Sequence, residues 1–200
     1  MMDCSARPRA AGFTLIELAV VMMVIIILAA ASLPAYRDFN ERYRLRGAVD
    51  DVTSVIASAR AAAVKADRDV SVSFKGSTSA WCVGAAAAAE PTAGNPVNAA
   101  AACDCSGSAG SCMAGDQRLV VAPGSHAGVT MTALPGDFVF DSKLGVIQPT
   151  GTSCAVFKSP NGEYDVQVSV NVLGQTTACT TGKSMAGVKS CSSLGVAACP

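Results

Sequence analysis

Two hundred residues allow one modest folded domain and an anchor, with no need for a second core. Fifteen basic and fifteen acidic side chains cancel, which excludes a strongly basic protein drawn to nucleic acid or acidic lipid by net charge. Half of the residues are hydrophobic yet only 5% are aromatic, so the predicted core is thin and rich in small side chains.

The first informative stretch runs from Phe13 to Tyr36, where 24 positions hold one charged residue, Glu17. At about 1.5 Å per residue a helix of that length reaches roughly 36 Å, enough to cross a hydrocarbon layer of about 30 Å. Arginines lie on both sides (Arg7 and Arg9 before, Arg37, Arg42, Arg44 and Arg46 after), so flanking charge does not set the orientation. A simple signal peptide with a cut near Ala29-Ala30-Ala31-Ser32 is the plainer alternative. Two features oppose it. A carboxylate sits at the start of the apolar run, and the helical pattern continues beyond Pro34. Leu45, Val49, Val52, Ile56, Ala59 and Ala63 recur four and three apart, the stripe of a one-sided helix. One long helix from about Phe13 to about Lys65 is predicted, kinked at Pro34 because proline removes a backbone donor.

Gly12-Phe13-Thr14-Leu15-Ile16-Glu17, followed by the apolar run and Leu33-Pro34, resembles the prepilin signature of type IV pilins and type II secretion pseudopilins. Pro34 through Phe39, Arg44-Leu45-Arg46, Ser58-Ala59-Arg60 and Ala63 look like the FimT/GspH group of minor pilins, with similarity over roughly residues 12 to 84. The resemblance implies an α+β pilin fold: a long N-terminal helix, half membrane and half amphipathic, packed on an antiparallel sheet. It divides the chain into a leader (1–12), an assembly helix (13–36) and a periplasmic domain (37–200). That domain opens with helix 37–66 and carries a cysteine-rich loop at about 85–117. It further implies cleavage by a prepilin peptidase between Gly12 and Phe13, N-methylation of Phe13, and neutralisation of a neighbouring subunit's terminal amine by Glu17. Pro34 belongs to the same assembly helix. The physics of Glu17 agrees, since a carboxylate in hydrocarbon must find a cation or else snorkel to the interface. The implied partners are other pilin subunits through that helix, the peptidase and an inner-membrane assembly platform. The implied location is the inner membrane, single-pass, then the pilus.

Beyond the helix the period becomes two. Val70, Val72 and Phe74 alternate with Ser71, Ser73 and Lys75, and Trp81 to Gly84 can return as a hairpin partner after Gly76-Ser77-Thr78-Ser79. Residues 85–117, low in complexity at Ala85–Ala89 and Ala99–Ala102, predict a long loop pinned by disulfides. Strands resume at about 118–121, 129–132, 138–140, 146–147 and 153–158. The clearest follows, where Tyr164, Val166, Val168, Val170 and Val172 alternate with polar residues and predict one buried and one wet face. The Gly/Ser/Thr-rich segment after Leu173 reads as stapled rather than regular.

Eight cysteines follow the apolar stretch: Cys82, Cys103, Cys105, Cys112, Cys154, Cys179, Cys191 and Cys199. An even set on one side of a membrane predicts disulfides in an oxidising compartment, and eight cysteines admit 105 pairings. A metal at Cys103-x-Cys105 with Cys112 is the alternative, disfavoured by the narrow spacing and by a single histidine, His126. No cofactor or metal is expected. Catalysis has little to stand on: His126 lies in Gly-Ser-His-Ala-Gly without a surrounding motif, and Gly151-Thr152-Ser153 is no nucleophile elbow. A tethered hydrolase using His126 is the formal alternative. Some FimT-like minor pilins bind DNA through Gly-Arg-x-Arg in the C-terminal strand region. Here the matching turn is Leu173-Gly174-Gln175-Thr176-Thr177, without either arginine, which leaves only Lys183 and Lys189 nearby and makes DNA an unfavoured partner. A minor type IV pilin supporting pilus biogenesis is therefore expected, with a type II secretion pseudopilin as the alternative and DNA uptake behind it.

Overall fold

A computed structural model describes residues 12–76, 78–89, 103–107, 111–133, 135–149 and 151–199. Cys4 with the rest of the expected leader before Gly12, and the middle of the expected 85–117 loop, lie outside the described residues.

Helix α1 spans Leu15–Ala66, with Pro34 inside it. The chain divides into two compact units along this helix, one ending at Phe39 and one beginning at Asn40. In the first unit the apolar residues are exposed, from Leu15 at 87% to Leu33 at 56%. In the second, the stripe Leu45, Val49, Val52, Ile56, Ala59 and Ala63 is buried, joined by Ala48 and Val55. The one-sided half of the helix thus owes its place to packing rather than to propensity.

The rest of this unit is α+β with two antiparallel sheets, where the sequence suggested one. Sheet one runs β5 (Val120–Val121), β2 (Cys82–Ala87), β1 (Val70–Lys75), β7 (Phe138–Phe140), β8 (Ile147–Gln148). Sheet two runs β11 (Thr176–Thr180), β10 (Asp165–Val170), β9 (Ser153–Lys158), β6 (Thr130–Ala133). A small hairpin, β3 (Met113–Ala114) with β4 (Gln117–Arg118), stands apart. One core joins the helix stripe to Val70, Val72, Phe138 and Phe140 of sheet one and to Phe157, Val166, Val168 and Val170 of sheet two. Its largest member, Trp81, is fully buried, packs edge-on to Phe157 at 5.1 Å, and donates its indole N–H to the Val129 carbonyl at 2.8 Å. That bond satisfies a polar group which would otherwise be costly in an apolar interior.

Three sequence expectations are corrected. Ala85–Ala87 belongs to β2, paired with Val70–Val72, because burial in a sheet overrides the low strand preference of alanine. The segment after Leu173 contains a true edge strand, β11. The polar face predicted for β10 is not wet throughout: Gln167 is buried between half-exposed Asp165 and Ser169, and Ser71 and Ser73 of β1 are buried as well. Segments distant in sequence cover them.

Candidate functional site: the N-terminal helix and the stapled sheet covers

Gly12 and Phe13 precede α1 and are exposed, Phe13 at 82%. Thr14 stands at the helix start, and its hydroxyl accepts the Glu17 amide at 3.3 Å. Thr14-Leu15-Ile16-Glu17 is thus the S/T-x-x-E pattern of a capping box, with Glu17 at the third helical position. A carboxylate in the first turn also complements the helix dipole. The sequence reading credited Glu17 only with assembly; Thr14, three residues before it, was the signal for a second role. Downstream, an 18-residue window of mean hydropathy 2.7 is wholly unburied, and α1 is the one described helix long and apolar enough to span a membrane. Pro34 lies within α1.

The eight predicted cysteines form four bonds among the described residues: Cys82–Cys105, Cys103–Cys112, Cys154–Cys199 and Cys179–Cys191. The pairs serve two covers. On the outer face of sheet one, Cys82, Ala86, Cys103, Cys105 and Cys112 make a second small core. Gly84 sits beneath it, and a Cβ there would lie 2.4 Å from the Cys103 sulfur and 3.0 Å from that of Cys112. Glycine is needed for this close approach. Between the paired cysteines, Asp104 accepts the Ser106 hydroxyl at 2.7 Å and the Ser106 and Gly107 amides. The Ser106 hydroxyl first, then the Gly107 amide, hold its carboxyl below the usual carboxylate range.

On the outer face of sheet two lies the C-terminal tail. Gln167 donates its side-chain amide to the Ala197 carbonyl at 2.7 Å and accepts the Cys199 amide at 3.1 Å. Both ends of a buried amide are thereby engaged. Short helix α2 (Cys191–Leu194), N-capped by Ser190, carries one cysteine of this cover. A valine-rich alternation drew attention away from Gln167, and the polar position within it was the available clue.

His126 does not stand alone. Its Nε2 lies 2.8 Å from the Asp51 carboxylate of α1, its ring packs over Gly47, and its side chain is 11% exposed. Arg44 adds a bond to the Ala127 carbonyl at 3.2 Å. These contacts tie the 122–128 connection to the helix, a structural use of the residue. The turn after β10 is closed by Asn171, whose side-chain oxygen accepts the Leu173 and Gln175 amides. Lys183 is engaged elsewhere, 2.9 Å from Glu163 and 4.5 Å from the Tyr164 ring centre, and the Glu163 carboxylate first, then Tyr164, push its pKa up. Among the described residues no group of three or more metal-ligating side chains forms.

Residues 7–33 match the profile described as the prokaryotic N-terminal methylation motif. Two fimbrial proteins of Pseudomonas aeruginosa are each 40% identical over 60 residues, which is 30% of this chain and 39% of theirs. The chain thus spans about two fifths of the length of the curated relatives it matches. Among solved structures it is similar to the type IV minor pilin FimU of Pseudomonas aeruginosa, at 15% identity and a TM-score of 0.42 over 70% of this chain and 90% of that one. A second crystal form of FimU gives 13% identity and 0.39 over 67% and 91%. Residues 48–174, well over half of the sequence, match the profile described as Type II transport protein GspH, and the chain belongs to that family.

Proposed function

We propose that this protein is a minor pilin subunit, made as a precursor and inserted into a type IV pilus to support its assembly. The observation that carries the reading is the exposed apolar half of α1, fused through one continuous helix to a half that belongs to a core. Isolated in water, such a surface is far larger than soluble monomers expose. A bilayer covers it before assembly and neighbouring helices cover it afterwards. Cleavage between Gly12 and Phe13 leaves a short exposed lead into the capped first turn, and methylation falls on Phe13. Glu17 then meets the terminal amine of a neighbouring subunit, where loss of solvent makes an unpaired carboxylate costly. The segment from Phe13 to Tyr36 is the anchor and the domain beyond it lies in the periplasm, where its disulfides persist. The partners are other pilin subunits, the prepilin peptidase and an inner-membrane platform. The family supports a structural role, and the contact of His126 with Asp51 is read as part of the tie between the 122–128 connection and the helix.

Intact mass of the protein recovered from cells tests this directly. The expected product begins at Phe13, carries one methyl group and retains four disulfides. A product beginning near Ser32 would end the proposal. Glu17→Gln is expected to leave processing intact and to abolish recovery in sheared fibres. The second reading, a pseudopilin of type II secretion, is favoured by the family match over residues 48–174. Deletion separates the two: loss of twitching supports the pilus, and loss of exoprotein release supports secretion.

A further inference from the structure

Edge strand β11 borders a groove whose other wall is α1. Thr180 donates its amide to the Lys189 carbonyl, so its backbone amide faces away from β10 and toward the open edge. Alternation in an antiparallel ladder turns Thr176 and Ala178 the same way. Among the described residues nothing pairs with either amide. A tail segment already pairs at Thr180, in parallel with Ser190, and its Val188 and Lys189 line the smaller depression together with Ala178 without bonding to that amide. Beside the unpaired stretch lie two open depressions of about 310 and 800 Å³ that share Asp50. The helix wall along the larger one includes Ser54, Ala57 and Ala61 beside Thr53, Arg60 and Val64, and the three small side chains leave room for those of another strand. Arg46, Arg60 and Lys189 line the depressions against the single carboxylate of Asp50, which pairs with Arg46 at 3.8 Å, while Arg60 donates its Nε–H to the Gly145 carbonyl; the lining keeps an excess of two positive charges.

We propose that this groove receives an extended, acidic segment of another polypeptide, which adds as a further strand to the free edge of β11. Three observations select that occupant. The edge offers alternating donors and acceptors, which only another backbone matches along its length. Three cations against one carboxylate favour a segment with negative side chains. The small helix wall accepts side chains from one face of a strand. Nucleic acid fits less well, because phosphate oxygens cannot donate to the outward carbonyls of the edge. The inference does not rest on filament assembly, and its test involves no fibres.

The full chain in mild nonionic detergent is titrated with fluorescein-labelled peptide Thr-Val-Glu-Val-Glu-Val-Thr, with the same peptide bearing Lys for Glu, and with a twelve-residue oligothymidylate. The acidic peptide is expected to bind, to slow hydrogen exchange at the Thr176 and Ala178 amides, and to exceed the lysine peptide by about tenfold in affinity. Ala178→Pro, which removes an outward amide from an edge strand, and Ser54→Trp, which fills the groove from the exposed helix face, are each expected to weaken it by about tenfold. The four disulfides, counted by mass, report that each variant has folded; should Ala178→Pro misfold, Ser54→Trp decides. Absence of protection at the two amides, equal binding of the two peptides, or full binding by the folded Ser54→Trp variant would overturn the proposal. Displacement of the acidic peptide by the oligothymidylate would reassign the groove to phosphate.

Discussion

Gly84 has no room for a side chain, because two disulfides cross directly over it. Gly84→Ala is predicted to destabilise the protein by about 1–3 kcal/mol, the usual cost of overpacking a filled site. Urea denaturation checks this, and an unchanged midpoint would show that the cover yields freely. Asp104, between two of the same cysteines, sets a local pH dependence. Its carboxyl is held below its ordinary value by Ser106 and Gly107, so its contribution is present above the unfolded value near 4 and is lost as pH falls through the folded value. The Ser106 and Gly107 amides are therefore predicted to lose protection, relative to their intrinsic exchange rates, as the pH falls from about 4 toward the lower folded value. Asp104→Asn should flatten that response, and exchange monitored by NMR from pH 6 to 2 tests both statements. Glu17 stands at the other end of the chain, in the capped first turn of its own helix, and under the proposed assembly it is also the charge that a neighbouring subunit meets.

The C-terminal tail is fastened by two disulfides and by both ends of one glutamine side chain. Replacing Cys154 and Cys199 together by serine removes the longer-spanning bond and is predicted to cost about 2–4 kcal/mol. The Cys199 amide should then lose its protection, while the Cys179–Cys191 bond still holds α2. Thermal melting with site-resolved exchange distinguishes this from a loss spread over the whole sheet. Elements also show what a sequence discloses. The stripe from Leu45 to Ala63 and the valines of β10 were legible because period and burial coincide. Gln167 was misread as wet because alternation reports polarity on each face, not what another segment lays over it. β11 went unnoticed since its inward residues, Thr176, Ala178 and Thr180, form no apolar pattern. The division into two sheets was equally hidden, because strand order depends on pairings far apart in the chain. The N-terminal motif around Gly12, Phe13 and Glu17 was legible for a different reason: it is local in sequence and needs no tertiary partner to be seen.

At the scale of the molecule, the chain holds two units with opposite solvent demands. A protein beginning at Asn40 is predicted to remain monomeric without detergent, because its apolar helix stripe is already buried. The chain that includes Phe13 to Leu33 should sediment as large assemblies unless detergent is present. Analytical ultracentrifugation of both in parallel checks the contrast, and a detergent-free monomer of the longer chain would contradict it. The four bonds between cysteines share one further property: none of them reaches α1. Sheets and covers are laced to each other, whereas the helix is retained by side-chain packing and a few polar ties. Mechanical tension applied through the helix would therefore meet its weakest resistance at that packed seam, drawing the rod out of its seat before any covalent staple is strained.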